Sequence, residues 1–394
     1  MNLIIYYTLI MKIQLSIVIL TIIISTRAYS YSRIIPFENI DSLALQTNDT
    51  VPDEIHLRTY LDFHYVYDND MPSNRKRPYG SNPLHVNQFD IGYAFAELTY
   101  KTKNFRSTIS FNSGCIVERM YELESEMMKH IREMSGEYFI GNGLSLEGGI
   151  MPAMYGFEGF INKENWFSTR AVMTDFAPDY DLGVRLNYRY KNHWSYRIQI
   201  ANGWQTLREV NNNKAVGTLI RYDSPKVLIN WGTMTTNESS VDSINLERFY
   251  SNFFAKFHLA KKWQIAPLWD AGFQRDSFNF NKLNFWTSAC INIRYQWKPK
   301  LSLAARYEYF YDPKQIIPDV ITNTPNGFQY KGGSICVEYA FHPYASFRLE
   351  TRYAHSRDKI YTIKNNINSS KNDLFVMGQF LFELHHDLKV VSTH

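Results

Sequence analysis

Apolar and polar residues alternate strictly over several segments of eight to fourteen residues, a period of two that fits a β-strand and not a helix. Residues 181–190 place Leu, Val, Leu, Tyr and Tyr at one parity and Asp, Gly, Arg, Asn and Arg at the other. The pattern returns at residues 194–201, 284–297, 301–309 and 346–353. Side chains of a β-strand point to opposite faces in turn, so each segment predicts a strand with one apolar and one wet face. Strands of soluble proteins average about five or six residues, so these lengths favour a tilted bilayer crossing.

Short polar connections alternate with long ones along the whole chain. An unpaired backbone amide costs several kcal/mol in hydrocarbon, so a sheet that crosses a membrane must close on itself. The alternation therefore predicts an all-β fold, a transmembrane antiparallel up-and-down β-barrel of about 16 strands with short periplasmic turns and long extracellular loops. The predicted short turns are residues 102–104, 141–143, 191–193, 223–226, 260–262, 298–300 and 342–344.

One strongly apolar segment lies near the N-terminus. It follows Lys12, continues to about residue 24, and is followed by the small-residue pattern Ala28-Tyr29-Ser30. This order predicts a secretory signal peptide over residues 1–30, with Met11 as a second possible start. A permanent membrane anchor is the alternative, but the apolar stretch is short for a bilayer span.

The remaining chain divides by composition into three parts. Residues 31–55 are polar and contain two prolines, which predicts an N-terminal arm, and the strand pattern then occupies residues 56–384. Residues 385–394 read as a polar C-terminal tail after the last strand. Aromatic residues form 16% of the chain, and many Tyr and Trp lie near predicted strand ends, as in the interfacial girdles of membrane barrels.

Charge and cysteine content exclude several kinds of site. A net charge of +4 without a long Lys/Arg run gives no support for nucleic-acid binding. Cys115, Cys290 and Cys336 are widely scattered, so they predict neither a disulfide framework nor a metal site, but small buried side chains. We expect no cofactor, no metal and no catalytic residues.

Charged residues concentrate on the polar parity of the predicted strands, where arginines modestly outnumber carboxylates. Arg or Lys on the lipid face would cost about 2 to 4 kcal/mol at the bilayer midplane, so this parity is expected to face a wet lumen. The residues predicted to line a pore are Arg185, Arg189, Arg197, Arg221, Arg294, Arg306, Glu308, Arg348, Glu350 and Arg352. The alternative is that such charges are ion-paired struts inside a plugged barrel.

The second long connection has a helical rather than a strand pattern. Residues 118–134 combine acidic side chains with Met, Leu and Ile at three- and four-residue steps. Glu118, Glu122, Glu124 and Glu126 are the candidate residues of a constriction loop that folds inward and faces a basic wall. A solvated external helix is the other interpretation.

Four sequence segments carry a family resemblance. They are residues 59–68 (TYLDFHYVYD), 164–170 (ENWFSTR), 202–205 (NGWQ) and 324–329 (TPNGFQ). In this order they resemble the OmpL-like β-barrel porins of Bacteroidetes-type Gram-negative bacteria, over nearly the whole mature chain. The resemblance implies a porin-like barrel in the cell outer membrane and transfers no catalytic or ligand-binding residues.

The function expected from these observations is a channel for passive diffusion of small polar solutes, with a weak preference for anions. Its partners would be outer-membrane lipid and the solutes themselves. One alternative is a closed barrel with a structural or surface-interaction role, displaying loops such as residues 153–179. A barrel enzyme is the third possibility, although no nucleophile motif such as G-x-S-x-G occurs in the chain.

Overall fold

A computed structural model describes residues 53–390, except residues 71, 73, 78–79, 81, 210, 240–243, 319–321, 323 and 365. Sixteen antiparallel strands form one closed barrel, which confirms the predicted fold and strand number. The predicted signal peptide, nearly all of the predicted arm and the last four residues of the predicted tail lie outside the described residues. The described part of the chain contains no helix with the length and apolar character needed to cross a bilayer.

Strands that follow one another in the chain are neighbours in the barrel, and the last strand pairs with the first to close it. The barrel strands are β1 Asp53–Asp68, β2 Phe89–Lys101, β3 Phe105–Ser113, β4 Ile131–Gly141, β5 Leu144–Pro152, β6 Tyr180–Tyr190, β7 Trp194–Ala201, β8 Ala215–Asp223, β9 Val227–Asn237, β10 Glu247–Ala260, β11 Trp263–Arg275, β12 Leu283–Lys298, β13 Leu301–Asp312, β14 Phe328–His342, β15 Ala345–Ser356 and β18 Asn372–Val390. Two short strands, β16 Tyr361–Ile363 and β17 Asn366–Ser370, form a separate hairpin in the loop between β15 and β18.

The two-residue alternation of the sequence becomes an apolar outer face and a polar inner face. On β15, Leu349 points outward and is 47% exposed, whereas its neighbours Arg348 and Glu350 are buried inside the barrel. On β14, Ile335 is exposed on the outside and Cys336 is buried. Hydrocarbon accepts Leu and Ile side chains and penalises charged ones such as Arg348 and Glu350. The bilayer therefore fixes which parity of each strand faces outward.

All seven predicted short turns join the strands as expected, with two or three residues in each. They lie at one end of the barrel, together with the start of β1 and the end of β18, whereas the eight long loops lie at the other end. This geometry matches the predicted periplasmic turns and extracellular loops.

The last strand is longer than the sequence suggests. β18 continues to Val390 and pairs with β1 back to Asp53, so the barrel begins before residue 56 and ends after residue 384. His385 and His386, which we expected in the polar tail, lie opposite Arg58 and Leu57. The apolar alternation stops there because this end of the sheet is close to the periplasmic rim, where polar side chains are tolerated. Main-chain pairing with β1 continues beyond the point where the apolar alternation stops.

Among the described residues, two short helices and one 3-10 turn lie in the long loops. Helix α1, Cys115–Met120, and the 3-10 turn Met128–His130 connect β3 to β4. Helix α2, Val172–Asp175, lies between β5 and β6. Within residues 118–134, where a helical pattern was predicted, helical structure is thus limited to the end of α1 and the 3-10 turn.

Candidate functional site

The loop between β5 and β6, residues 153–179 (the inner loop), folds into the barrel. Phe167, Thr169 and Arg170 at its centre are completely buried. The expectation that this loop is displayed on the surface is therefore wrong. Its own composition explains the difference, because Phe, Trp, Ile, Val and Met side chains along it have no place in bulk water.

Aromatic side chains hold the two ends of the inner loop against the wall. Phe176 packs edge-on against Phe310 of β13 and Phe328 of β14, with ring centroids 5.4 and 5.8 Å apart. Nearer the start of the loop, Phe157 packs against Phe254 of β10 at 5.6 Å. Such ring pairs contribute about 0.5 to 1.5 kcal/mol each beyond the area that they bury. These contacts fix both ends of the loop to the part of the wall between β10 and β14.

Glu350 of β15 binds the centre of the inner loop through its carboxylate. One oxygen accepts hydrogen bonds from the backbone N–H groups of Ser168 and Thr169, at 2.7 and 3.0 Å. The other accepts the Thr169 hydroxyl at 2.6 Å. Hydrogen bonds to a charged group contribute about 1.5 to 3 kcal/mol, so one side chain of the wall fixes this turn of the loop.

A second carboxylate stabilises the start of helix α2. Glu308 of β13 accepts the N–H of Val172 at 2.6 Å, and Glu158 of the inner loop accepts the N–H of Ala171 at 2.5 Å. The first N–H groups of a helix have no partner within it, and negative charge is favourable there. The wall and the loop thus each provide one acceptor for the same helix end.

Arginines complete the attachment of the inner loop. Arg348 donates to the carbonyl oxygens of Asn162, Phe167 and Asn165 at 2.6 to 2.8 Å. A guanidinium group carries five N–H donors in a fixed plane, which suits several carbonyl groups of one tight turn.

Two further arginines bind the same part of the loop. Arg306 donates to the carbonyl oxygen and the hydroxyl of Thr169, and Arg352 donates to the Thr169 hydroxyl and the carbonyl oxygen of Arg170. We call the five wall residues the anchor cluster: Arg306, Glu308, Arg348, Glu350 and Arg352. Half of the predicted pore-lining residues therefore contact the inner loop.

The inner loop also reaches the seam where the barrel closes. Glu164 of the loop accepts a hydrogen bond from Arg58 of β1 at 2.5 Å, and the same guanidinium group binds Glu383 of β18. On the opposite wall, the Tyr155 hydroxyl donates to the carbonyl oxygen of Thr233 at 2.9 Å. The loop is held on three sides of the lumen.

Four other predicted lining residues lie near the short-turn end of the lumen. Side chains of Arg221 and Arg294 are 31% and 27% exposed, and Arg189 and Arg197 are also partly exposed. Lys256 of β10, which is buried, lies on the same stretch of wall between them. We call these five residues the basic wall. Two members of the basic wall have carboxylate partners: Arg221 pairs with Asp223 at 2.8 Å and Arg294 pairs with Glu338 at 3.2 Å.

The tenth predicted lining residue, Arg185, differs from both groups. It is buried and donates to the side-chain oxygen of Gln199 and the carbonyl oxygen of Pro152. Glu147, on the neighbouring strand, lies 3.6 Å from it and also 3.6 Å from Arg106. Carboxylates on this side of the barrel therefore lie among arginines.

The four candidate constriction glutamates lie in the loop that contains α1, at the extracellular end. Glu118 pairs with Lys76 at 2.7 Å, and this hydrogen bond lowers the pKa of its carboxyl. Glu122 and Glu126 are exposed. Glu124 is buried and accepts the N–H of Leu207 at 2.7 Å. The inner loop, rather than this segment, contacts the arginines of β13 and β15. The predicted pairing of these four glutamates with inward-pointing arginines therefore does not describe the structure.

Three of the four segments that carried the family resemblance lie in the inner loop or pack around it. ENWFSTR is the stretch bound by the anchor cluster. In NGWQ, Gln205 accepts the N–H of Asp179 and donates to the carbonyl oxygen of Met120, which joins three loops. In TPNGFQ, Phe328 is buried against Phe176. Sequence reasoning missed the inner loop, although its apolar content and this motif were visible signals.

The barrel is similar to solved outer-membrane proteins of known fold. The anion-selective porin from Comamonas acidovorans superposes with a TM-score of 0.57 over 84% of this chain and 100% of that chain, at 8% identity. OmpT of Vibrio cholerae gives 0.56 over 86% and 99%, at 11% identity. The outer membrane channel DcaP of Acinetobacter baumannii gives 0.56 over 84% and 98%, at 9% identity. At such low identity these likenesses establish the fold alone.

Sequence comparison places the chain in a family. No curated protein is significantly similar to it in sequence. Residues 54–384 match the family described as "Putative beta-barrel porin-2, OmpL-like", which covers the whole barrel to within a few residues. The family, the closed 16-strand barrel and the porin neighbours agree on a channel of the outer membrane. The chain therefore belongs to the OmpL-like family of β-barrel porins.

Proposed function

We propose that small polar solutes diffuse passively between the inner loop and the basic wall, with a weak preference for anions. The observation that carries this proposal is the contrast in exposure between the two arginine groups. Side chains of the anchor cluster are at most 7% exposed, whereas those of Arg221 and Arg294 are 31% and 27% exposed. Solvent therefore reaches arginine side chains of the basic wall, together with the carboxylate of Asp223, whose side chain is 50% exposed.

A narrow channel with walls of low dielectric constant focuses the field of such charges and raises the local concentration of the opposite ion. The preference is expected to be weak, since Asp223 and Glu338 neutralise part of the field. Salt also screens charges over about 8 to 10 Å at ordinary ionic strength. One similar structure is an anion-selective porin, which is consistent with the direction proposed here.

Passive diffusion through the barrel needs no catalytic step. Its partners are the lipid around the barrel and the small polar solutes that cross it. A second candidate is a closed barrel with a structural or surface-interaction role, and the burial of the inner loop inside the lumen favours it.

Reversal potential in a salt gradient tests the proposal, with protein refolded and inserted in a planar bilayer. The wild type should show a modest anion preference, and Arg221→Glu with Arg294→Glu should shift it towards cations. Lys282→Glu with Lys359→Glu is the matched control, because both lysines are exposed in extracellular loops and the net charge changes equally. A cation-selective wild type, or equal shifts in both variants, would contradict the proposal.

Folded protein without any conductance would support the second candidate. Folding is checked independently, by the slower gel mobility that membrane barrels show after heating and by far-UV circular dichroism dominated by β-structure.

A further inference from the structure

Three side chains with metal-binding chemistry meet on the inner wall at the extracellular end of β1. His64 of β1 lies opposite Asp90 of β2 in the strand register, and Cys115 at the start of α1 lies beside them. One ligand atom from each residue lies within 4.8 Å of the other two. A tetrahedral ion with bonds of about 2.0 to 2.3 Å holds its ligands roughly 3.3 to 3.8 Å apart, so small side-chain movements would complete such a site.

The surroundings of His64 are a second, independent indication that an ion binds here. It is only 1% exposed, and within the described residues neither of its ring nitrogens has a hydrogen-bond partner. Buried polar groups are nearly always satisfied, so an imidazole in this position calls for an explanation. An ion bound to one ring nitrogen would provide it.

The backbone of β2 next to His64 leaves room for the imidazole ring. β2 has a bulge between the partners of Asp62 and Phe63, and Gly92 lies in it. A Cβ atom at Gly92 would be 3.2 Å from Nδ1 of His64 and 2.1 Å from Oδ1 of Asp62. Glycine at this position therefore permits both polar side chains to point into the barrel.

A further histidine orients the carboxylate. Nδ1 of His85, in the loop between β1 and β2, lies 2.7 Å from Oδ2 of Asp90. Hydrogen bonds of this kind to a ligating group are typical of metal sites, where they fix its orientation. Side chains of His85 and Asp90 are 17% and 22% exposed, so an ion could enter from their side.

We infer that His64, Asp90 and Cys115 form a Zn²⁺ site in the extracellular mouth of the barrel. Imidazole nitrogen, carboxylate oxygen and thiolate sulfur are the donors that proteins use for this ion, and three protein ligands leave a fourth position for water. The ion would join α1 to β1 and β2, and so hold the loop between β3 and β4 against the wall. This inference does not depend on whether the lumen conducts.

Calorimetric titration of the refolded full-length protein with Zn²⁺ alone, after treatment with a chelator, measures the site. The wild type should bind one Zn²⁺ per chain. Cys115→Ser should abolish this binding, and His85→Ala should weaken it about 10- to 100-fold, as expected for a residue that only orients a ligand. Cys290→Ser is the matched control, because Cys290 is an equally buried free cysteine in β12.

Binding of Co²⁺ gives a spectroscopic signal that would not arise if Cys115 had only a structural role. Co²⁺ bound in the site should give a thiolate-to-metal charge-transfer absorption band in the wild type and in Cys290→Ser, but not in Cys115→Ser. If Cys115→Ser does not fold, Asp90→Asn provides the same comparison. A folded wild type that binds no Zn²⁺, or binding that Cys115→Ser retains through exposed histidines such as His386, would overturn the inference.

Discussion

The anchor cluster and the basic wall are built from the same kinds of residue on the same parity of the strands, yet their surroundings are opposite. Arg348 is 1% exposed and donates to three carbonyl groups of the inner loop, whereas Arg221 is partly exposed and pairs with the neighbouring carboxylate of Asp223 near the short-turn end. The strand pattern is common to both regions, so the difference arises from the loop that covers one of them. Inward orientation alone does not make a residue part of a channel lining.

The largest expected effect follows from removing an anchor. Arg348→Met leaves three buried carbonyl groups and Glu338 with fewer partners, and breaking a buried charged interaction costs about 3 to 5 kcal/mol. Arg221→Met, on the basic wall, should change the free energy of unfolding by only about 0 to 1 kcal/mol, because exposed ion pairs contribute little. Urea unfolding in detergent, followed by gel mobility, measures both. Equal effects would remove the distinction between the two regions.

A charge placed in lipid tests whether the two regions share the same outer face. Leu349 lies between two anchor residues, and Ile198 follows Arg197 of the basic wall. Leu349→Arg and Ile198→Arg therefore place a charge on the outer face beside each region. Both side chains are exposed on the outside, so each substitution should destabilise the barrel by about 2 to 4 kcal/mol if it lies near the midplane. The yield of folded barrel on refolding into vesicles is the measurement, and an unaffected Ile198→Arg would show that the faces of β7 are assigned incorrectly.

A smaller change isolates the hydrogen bonds of the anchor cluster. Thr169→Val keeps the shape of the side chain but removes the hydroxyl that Glu350, Arg306 and Arg352 share. Leaving these charged groups with fewer partners should cost about 1 to 3 kcal/mol of unfolding free energy. Thr218→Val is the control, because its hydroxyl bonds that of Thr233 on the exposed side of β8 and no charged group of the anchor cluster. A Thr169→Val protein as stable as this control would contradict the proposed anchoring.

The smallest effect is expected outside both regions, in the loop between β1 and β2. Burial, together with the charges of Asp373 and Asp68, raises the pKa of Asp70 from 3.8 to about 6. Folded protein therefore keeps a proton there that the unfolded chain has lost, so this group's contribution to stability is complete below about pH 4 and is lost as the pH rises through 6. Amide protection factors near residue 70 should fall over this range in the wild type and stay level in Asp70→Asn. A fall of the same size in the variant would exclude Asp70 as the cause.

The local pattern was enough to predict the barrel. Alternation at residues 181–190 and polar turns such as residues 191–193 depend on neighbours in sequence, and the strands β6 and β7 have these limits within a residue or two. Side-chain direction follows from parity as well, which is why Arg306 and Arg221 were both predicted to point inward.

Contacts between distant segments could not be predicted in this way. Glu350 binds Ser168 across 182 residues of sequence, and nothing in the strand pattern of β15 indicates that partner. His64 and Asp90 lie opposite each other because of a register shift at Gly92, and the periodicity of the sequence does not reveal such a shift. The polar end of β18 was assigned to a tail because its pairing with β1 is likewise a contact between the two ends of the chain.

The inner loop crosses the lumen between β1 and β9, and the proposed function requires that it limits flow through the barrel. Single-channel conductance of a variant in which residues 157–175 are replaced by a short Gly/Ser linker tests this most directly, with heat-modifiable gel mobility as proof that the barrel is intact. We predict a clear increase in conductance over the wild type, with anion preference retained because the basic wall is unchanged. An intact barrel with the conductance of the wild type would contradict the account.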